Sequence, residues 1–184
     1  IMLGARKQRS RTEIRERDTF TPATTTVATT HPEAYEALLR QSLSTGLALS
    51  LKAGRSFRLA TVDENRGKTS PLETQTSDDS EVALEYRHAD RNFRISAYRL
   101  DLDNEIHFMF IPGGMFGLFG SNVNLPPTRR QGIELEAGFR IAETLQVQAR
   151  IERLSARFRR GSFAGSDVGG NEIPLVPNKL ASLY

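Results

Sequence analysis

The sequence has 184 residues, enough for one ordinary domain or a piece of a larger one, and it has no cysteine, which excludes disulfides, thiolate catalysis and Cys-type zinc sites. Its 25 basic residues are interleaved with 22 acidic ones, for a net charge of +3, instead of gathering on one stripe, so nucleic acid is not implied as a partner. No apolar run approaches the roughly 20 residues of a membrane-spanning helix, and IMLGARKQRS lacks the apolar core and cleavage site of a signal peptide. A mean hydropathy of −0.42 is still compatible with transmembrane β-strands, which need only about 9 to 11 residues each and hide their apolar face in alternation.

Taken in chain order, Ile1, Leu3 and Ala5 begin a first alternating strand. THPEAYEALLRQSL at 30–43 has a capping Thr, a following Pro and good helix formers, so local propensity favours a helix. Its apolar parity of Tyr35, Ala37, Leu39 and Leu43 also fits a strand, and the turn STG would pair it with residues 47–60. A strand is expected, because a meander needs a partner at that place. Leu47, Leu49, Leu51, Ala53 and Phe57 form the next, followed by Val82, Leu84 and Tyr86, then Phe93, Ile95 and Ala97 across the HADR turn.

Ile133, Leu135, Ala137, Phe139 and Ile141 alternate with charged Glu134, Glu136 and Arg140. Leu145, Val147, Ala149 and Ile151 repeat the pattern after a short AET turn, so the two segments read as a hairpin. After Ala97 and after Ile151 the apolar parity switches, which marks either bulges or strand ends leaving an apolar zone.

The connections alternate in kind. Short turns fall near 44–46, 88–91 and 142–144, and long polar or Gly/Pro-rich loops near 15–32, 61–78, 110–128 and 161–171. In an up-and-down meander this places every short turn at one end and every long loop at the other, the asymmetry of an outer-membrane barrel. The expected fold is therefore all-β: an antiparallel up-and-down meander that is a partial slice of a large transmembrane β-barrel. Leu135, Phe139, Val147 and Ile151 should face lipid, and Glu134, Glu136, Gln148 and Arg150 the lumen. A complete small barrel and a soluble β-sandwich binding module remain as alternatives.

RSFRLATVDE at 55–64 and LETQTSDDSEVALEYR at 72–87 resemble the corresponding stretches of TonB-dependent outer-membrane receptors. AYRLDLDNEIHF, NVNLPPTRRQGIELEAGFR and GGNEIPLVPNKLASLY are similar to that family's further signatures in the same order. The resemblance implies an importer of the bacterial cell outer membrane, with a barrel of roughly 22 strands filled by an N-terminal plug domain and powered through TonB. It also implies outer-membrane lipid, the plug, TonB acting through the plug, and a small-molecule ligand such as a ferric siderophore as partners. Residues 1–184 then read as a partial barrel domain of about seven strands with a partial eighth after Pro177, and no plug.

Side-chain chemistry is sparse, and no enzyme activity, metal site or cofactor is expected. His31, His88 and His107 stand far apart and match no metal-ligand spacing, and no GxSxG or phosphate-binding loop occurs. Asp101, Asp103 and Glu105 share a strand face, which the hydrated lining of a barrel lumen explains more simply than a cation site. The candidate ligand contacts lie in IPGGMFGLFGSNVNLPPT at 111–128. Met115, Phe116 and Phe119 offer apolar area, and Asn122 and Asn124 add hydrogen-bonding groups. Haem receptors of the resembled family carry FRAP and NPNL around a ligand histidine. FRLA and PLET stand here with no histidine between them, so the resemblance does not extend to haem coordination of that kind, and an iron complex is expected as the commonest substrate class of the resembled family.

Overall fold

The computed structural model describes residues 1–16, 24–65, 68, 70–112 and 118–184. Its strands are β1 (Met2–Lys7), β2 (Ser10–Glu16), β3 (Thr24–Thr30), β4 (Glu33–Ser44), β5 (Leu47–Arg58), β6 (Gln75–His88), β7 (Arg91–Asp103), β8 (Ile106–Pro112), β9 (Leu118–Asn124), β10 (Thr128–Ala142), β11 (Leu145–Phe158), β12 (Ser162–Phe163), β13 (Ser166–Asp167) and β14 (Lys179–Leu183). Eight of them form a single sheet in the order β1-β4-β5-β6-β7-β10-β11-β14, with every neighbouring pair antiparallel. The remaining strands pair as three small hairpins, β2–β3, β8–β9 and β12–β13.

This arrangement disposes of both alternative folds. The eight main strands make one sheet, not two facing ones, and its edges β1 and β14 do not pair, so the described residues do not close into a small barrel. The segment with helical propensity is β4. Its backbone bonds go to β1 on one side and to β5 on the other, and this double pairing outweighs a weak local preference.

Connections alternate as the meander requires. Thr45–Gly46, Ala89–Asp90 and Glu143–Thr144 turn the chain at one end. At the other end the long connections are built structures: β2–β3 stands between β1 and β4, β8–β9 between β7 and β10, and β12–β13 between β11 and β14. Two of the stretches expected as irregular loops are thus largely hairpin arms. The strands of the first arm lack an apolar face, and TTTVATT of β3 shows little but β-branched residues.

The sheet has one apolar and one polar face. Leu39, Leu51, Val82, Ala97 and Ile133 lie directly opposite one another across five strands. These side chains are turned outward: Leu51 and Val82 are 43% exposed and Ile133 58%. The opposite parity is crowded, with Ser50, Ala83, Ser96 and Glu152 all buried, as side chains are on the concave side of a curved sheet. Leu135 with Ile151 and Phe139 with Val147 share the apolar face in register, while Glu136 pairs with Arg150 on the other.

The apolar band has a sloping edge. Its last apolar position before polar residues take over is Tyr35 on β4, Ala53 on β5, Val82 on β6, Ala97 on β7, Ile133 on β10, Ile151 on β11 and Ala181 on β14. Following the register back from Ala181 through Ile151, Leu135, Ile95, Leu84 and Leu49 leads to Gln41, six residues from Tyr35 after six strand-to-strand steps. A slope of one residue per strand corresponds to strands tilted by about 35° from the normal to the band, the tilt against its axis that a closed barrel needs.

The parity switches after Ala97 and Ile151 are strand ends leaving this band, not bulges. Register through both positions is unbroken on either side, and the shifts that occur, at Ser42/Ser44 and Arg140/Ala142, lie beside the short turns.

On the polar face, ion pairs run between strands and along them. Arg94 pairs with Glu81 and directly faces Glu85, Arg40 reaches Glu85 at 2.7 Å, and Arg150 bridges Glu134 and Glu152. Tyr98 Oη donates a hydrogen bond to Glu152, two strands away. Gly132, which faces Tyr98 in register on the strand between, makes room for this: a Cβ there would sit 2.8 Å from the Tyr98 hydroxyl.

Candidate functional site

The end of the sheet that carries the hairpins also carries the candidate site. β8 and β9 pair from Ile106↔Asn124 to Pro112↔Leu118. Alternation along β8 sets Phe108 and Phe110 on one face, their rings edge to face at 5.3 Å and 83°. Both are exposed, by 52% and 62%. Gly120 stands opposite Phe110, and a Cβ there would lie 2.1 Å from the Phe108 ring, so the missing side chain is what seats that ring.

The connection between β5 and β6 is fastened to this hairpin. Thr61 and Glu64 bond reciprocally, the Thr61 N–H to Glu64 Oε2 at 2.8 Å and the Glu64 N–H to Thr61 Oγ1 at 3.3 Å, in the manner of a capping box. The Thr61 N–H, opposed by burial and aided by Arg58, holds the Glu64 carboxyl below its ordinary range. Buried Asn65 accepts the Leu72 N–H at 2.8 Å and donates to the Thr61 carbonyl at 3.0 Å, which shapes the loop from within. Lys68 Nζ then donates to Ser121 Oγ at 2.7 Å.

Of the residues singled out from the sequence, Met115 and Phe116 lie outside the described residues. Phe119 lies on β9 opposite Ile111, near the hairpin tip. Asn122 and Asn124 lie on β9 with their amides engaged. Asn122 Nδ2 donates to the Glu64 carbonyl at 3.4 Å. Asn124 accepts the Glu73 N–H at 2.9 Å and donates to the carbonyls of Asn104 at 2.8 Å and Glu73 at 3.1 Å. It therefore ties three chain segments together. Asn124→Ala should leave these backbone groups short of partners, at about 1–3 kcal/mol of local stability. Faster hydrogen exchange in residues 70–75 of the variant, with the main strands unchanged, is the expected measurement.

Phe108 and Phe110 are not among the residues expected from the sequence, although the alternation in HFMFIP was available to find them. His107 is exposed and opposes Val123, on the other face from the two rings.

Asp101 does not line the polar face. Unbroken register sets it on the outward parity with Ile95 and Ala97, beyond the edge of the band. Burial opposes its ionisation, yet hydrogen bonds from Arg129 at 2.6 Å and Arg99 at 2.8 Å hold its carboxyl below the ordinary range. Glu105 bonds Arg130 at 2.8 Å and the Thr128 hydroxyl at 3.2 Å. Arg159 lies 4.0 Å from both Asp101 and Asp103, so all three acidic residues are drawn toward arginines, and among the described residues no cluster of three such groups converges as a metal site would require.

An antiparallel meander with a tilted outward apolar band, an ion-paired inner face, tight turns at one end and built hairpins at the other is a section of the wall of a transmembrane β-barrel. The chain belongs to the family described as TonB dependent receptor-like, beta-barrel, whose model matches residues 1–184.

Three solved structures illustrate the similarity of fold. The siderophore receptor PiuA from Acinetobacter baumannii matches at TM-score 0.69 and 14% identity, over 98% of this chain and 27% of that one. The ferric-catecholate import receptor Fiu from K12 E. coli matches at 0.66 and 14%, over 98% and 28%. The copper transporter OprC matches at 0.64 and 15%, over 84% and 26%. The chain therefore spans about a quarter of the length of these receptors. No curated protein sequence matches it.

Proposed function

We propose that this chain forms part of the barrel wall of an outer-membrane transporter that takes up a ferric siderophore or similar iron complex with energy delivered by TonB. The observation that carries the reading is the family match along the whole chain. The outward apolar band supports contact with outer-membrane lipid, and the ion-paired inner face suits a polar filling such as an N-terminal plug domain, through which TonB would act. Iron complexes are favoured because siderophore and ferric-catecholate receptors share the fold.

In this reading the hairpin end is extracellular, since short turns lie on the periplasmic side of such barrels. Met115, Phe116, Phe119, Asn122 and Asn124 belong to the arm that meets the ligand, and Phe108 and Phe110 extend its apolar surface. The amides of Asn122 and Asn124 serve the ligand by holding the arm in place as well as by contact.

Replacing Phe116 and Phe119 together by Ala in the full-length receptor should weaken ligand binding by about 1–3 kcal/mol, the value of burying such rings. The folded fraction should stay unchanged, because surface loops contribute little to barrel closure. Titration with ferric siderophores checks affinity, and a heat-modifiability gel checks folding. Unchanged affinity in a folded variant would assign the rings to packing within the arm. Growth of a strain lacking the gene on defined iron sources identifies the cargo, and normal growth on all of them would overturn the iron reading.

A further inference from the structure

The β8–β9 arm is a two-stranded sheet of its own, and a lone pair of strands is marginal in water. Its root is fixed, with the Leu125 N–H bonded to the Glu105 carbonyl at 2.8 Å and Leu125 itself buried. Farther out, support comes from the β5–β6 connection through side chains of β9. Ser121 accepts the Lys68 ammonium, and the Asn122 amide donates to the Glu64 carbonyl. Asn122 stands directly opposite Phe108 in register, so the connection is fastened beside the exposed ring pair.

The connection in turn depends on one side chain. Among the described residues of 59–74, Asn65 alone is buried, at 4% exposure. Its amide is engaged at both ends, Oδ1 by the Leu72 N–H at 2.8 Å and Nδ2 by the Thr61 carbonyl at 3.0 Å. Its backbone carbonyl accepts the Lys68 N–H at 3.2 Å. These bonds set where the Glu64 carbonyl and the Lys68 ammonium stand. They all stay within 61–72, so they act on the arm only through the connection.

We infer that Asn65 is a positioning residue of the ligand arm: it holds the β5–β6 connection in the shape that braces β9 and so keeps Phe108 and Phe110 in place for binding. A loose arm would have to be ordered when the ligand arrives, and a braced one is ordered beforehand. The identity of the ligand rests on the uptake reading above, whereas the mechanical link between connection and arm does not.

The test uses the full-length receptor in detergent, with Asn65→Ala, Asn122→Ala, their double variant, and Asn65→Asp, which keeps the acceptor for the Leu72 N–H and loses the donor to Thr61. Glu172→Gln, in the connection before β14, is the control. A heat-modifiability gel first establishes a folded barrel for each, and if Asn65→Ala leaves none, Asn65→Asp takes its place. Hydrogen exchange of Ile106–Pro112 and Leu118–Asn124 without ligand is the first readout. Asn65→Ala should speed it about tenfold or more, Asn65→Asp less and Glu172→Gln not at all, with the main strands unchanged. Because Asn65 acts through the bond that Asn122 makes, the double variant should fall short of the product of the single effects. The second readout is titration with a ferric catecholate and a ferric hydroxamate complex. Asn65→Ala should weaken binding of whichever the parent takes by about fivefold or more, at unchanged capacity.

Exchange that quickens within 61–72 alone would overturn the inference, as would single effects that multiply in full. A quickened arm with unchanged affinity would overturn it too, since the brace would then not serve binding. A parent that binds neither complex would overturn the iron reading, and exchange of the arm would still decide whether Asn65 positions it.

Discussion

Leu135→Arg should be a damaging substitution on the outward face, costing up to about 2–4 kcal/mol, the value for a charge at the middle of a bilayer, and less to the extent that its row lies nearer the band's edge. Leu135 stands between Ile95 and Ile151 in register, in the row below the one at the band's edge on β10. It is 45% exposed, so lost packing against the rest of the chain is the smaller part of the expected effect. What the variant loses is a side chain soluble in hydrocarbon. Gln131→Arg, just beyond the edge of the band on the same strand and parity, should cost almost nothing. Denaturant titration of the full-length barrel in lipid vesicles compares the two, and equal costs would mean that the apolar parity does not face lipid.

Gly46→Val should be the most damaging change at the short-turn end. Gly46 has φ = +81°, in the left-handed region that a β-branched residue occupies only under strain. Space forbids it as well, since a Cβ there would lie 2.3 Å from the Arg87 carbonyl oxygen. That contact is no accident of a loose side chain, because the Arg87 N–H donates to the Gly46 carbonyl at 2.7 Å and fixes the two backbones together. Strain and the broken bond together should exceed about 2 kcal/mol. Ala89, in the next short turn, has φ = +46°, so Ala89→Gly should be neutral or slightly stabilising. Refolding yield and urea midpoint of the full-length barrel measure both, and a wild-type midpoint for Gly46→Val would show that the turn can rearrange.

The main sheet was legible in the sequence because one physical requirement repeats along it. A strand with lipid on one side and water on the other must alternate, and Ile133 to Ile141 and Leu145 to Ile151 do so without exception. The strand at Glu33–Ser44 was legible only through its neighbours, since its own residues favour a helix and pairing on both edges decides the matter. The β2–β3 arm was not legible, since its strands show charged and threonine residues that read as loop.

The candidate site was half legible for a related reason. Composition singled out Asn122 and Asn124 as hydrogen-bonding residues, but their partners are backbone groups of Glu64, Glu73 and Asn104, up to 58 residues away in sequence. Asp101 was assigned to the lumen because it is charged. Its parity places it outside, where the band has ended and charge is no longer costly.

The ion pairs of the inner face bear on how such a sheet is assembled without error. Alternation alone does not distinguish the correct pairing of two strands from one displaced by two residues, since both keep every apolar side chain on the same side. The charges do distinguish them. Between β6 and β7 the native register sets Arg94 opposite Glu85, and a displacement by two residues sets it opposite Arg87 or Ala83 instead. The inner face thus works as a key cut into the ladder, rejecting the misaligned sheet that the outer face would accept.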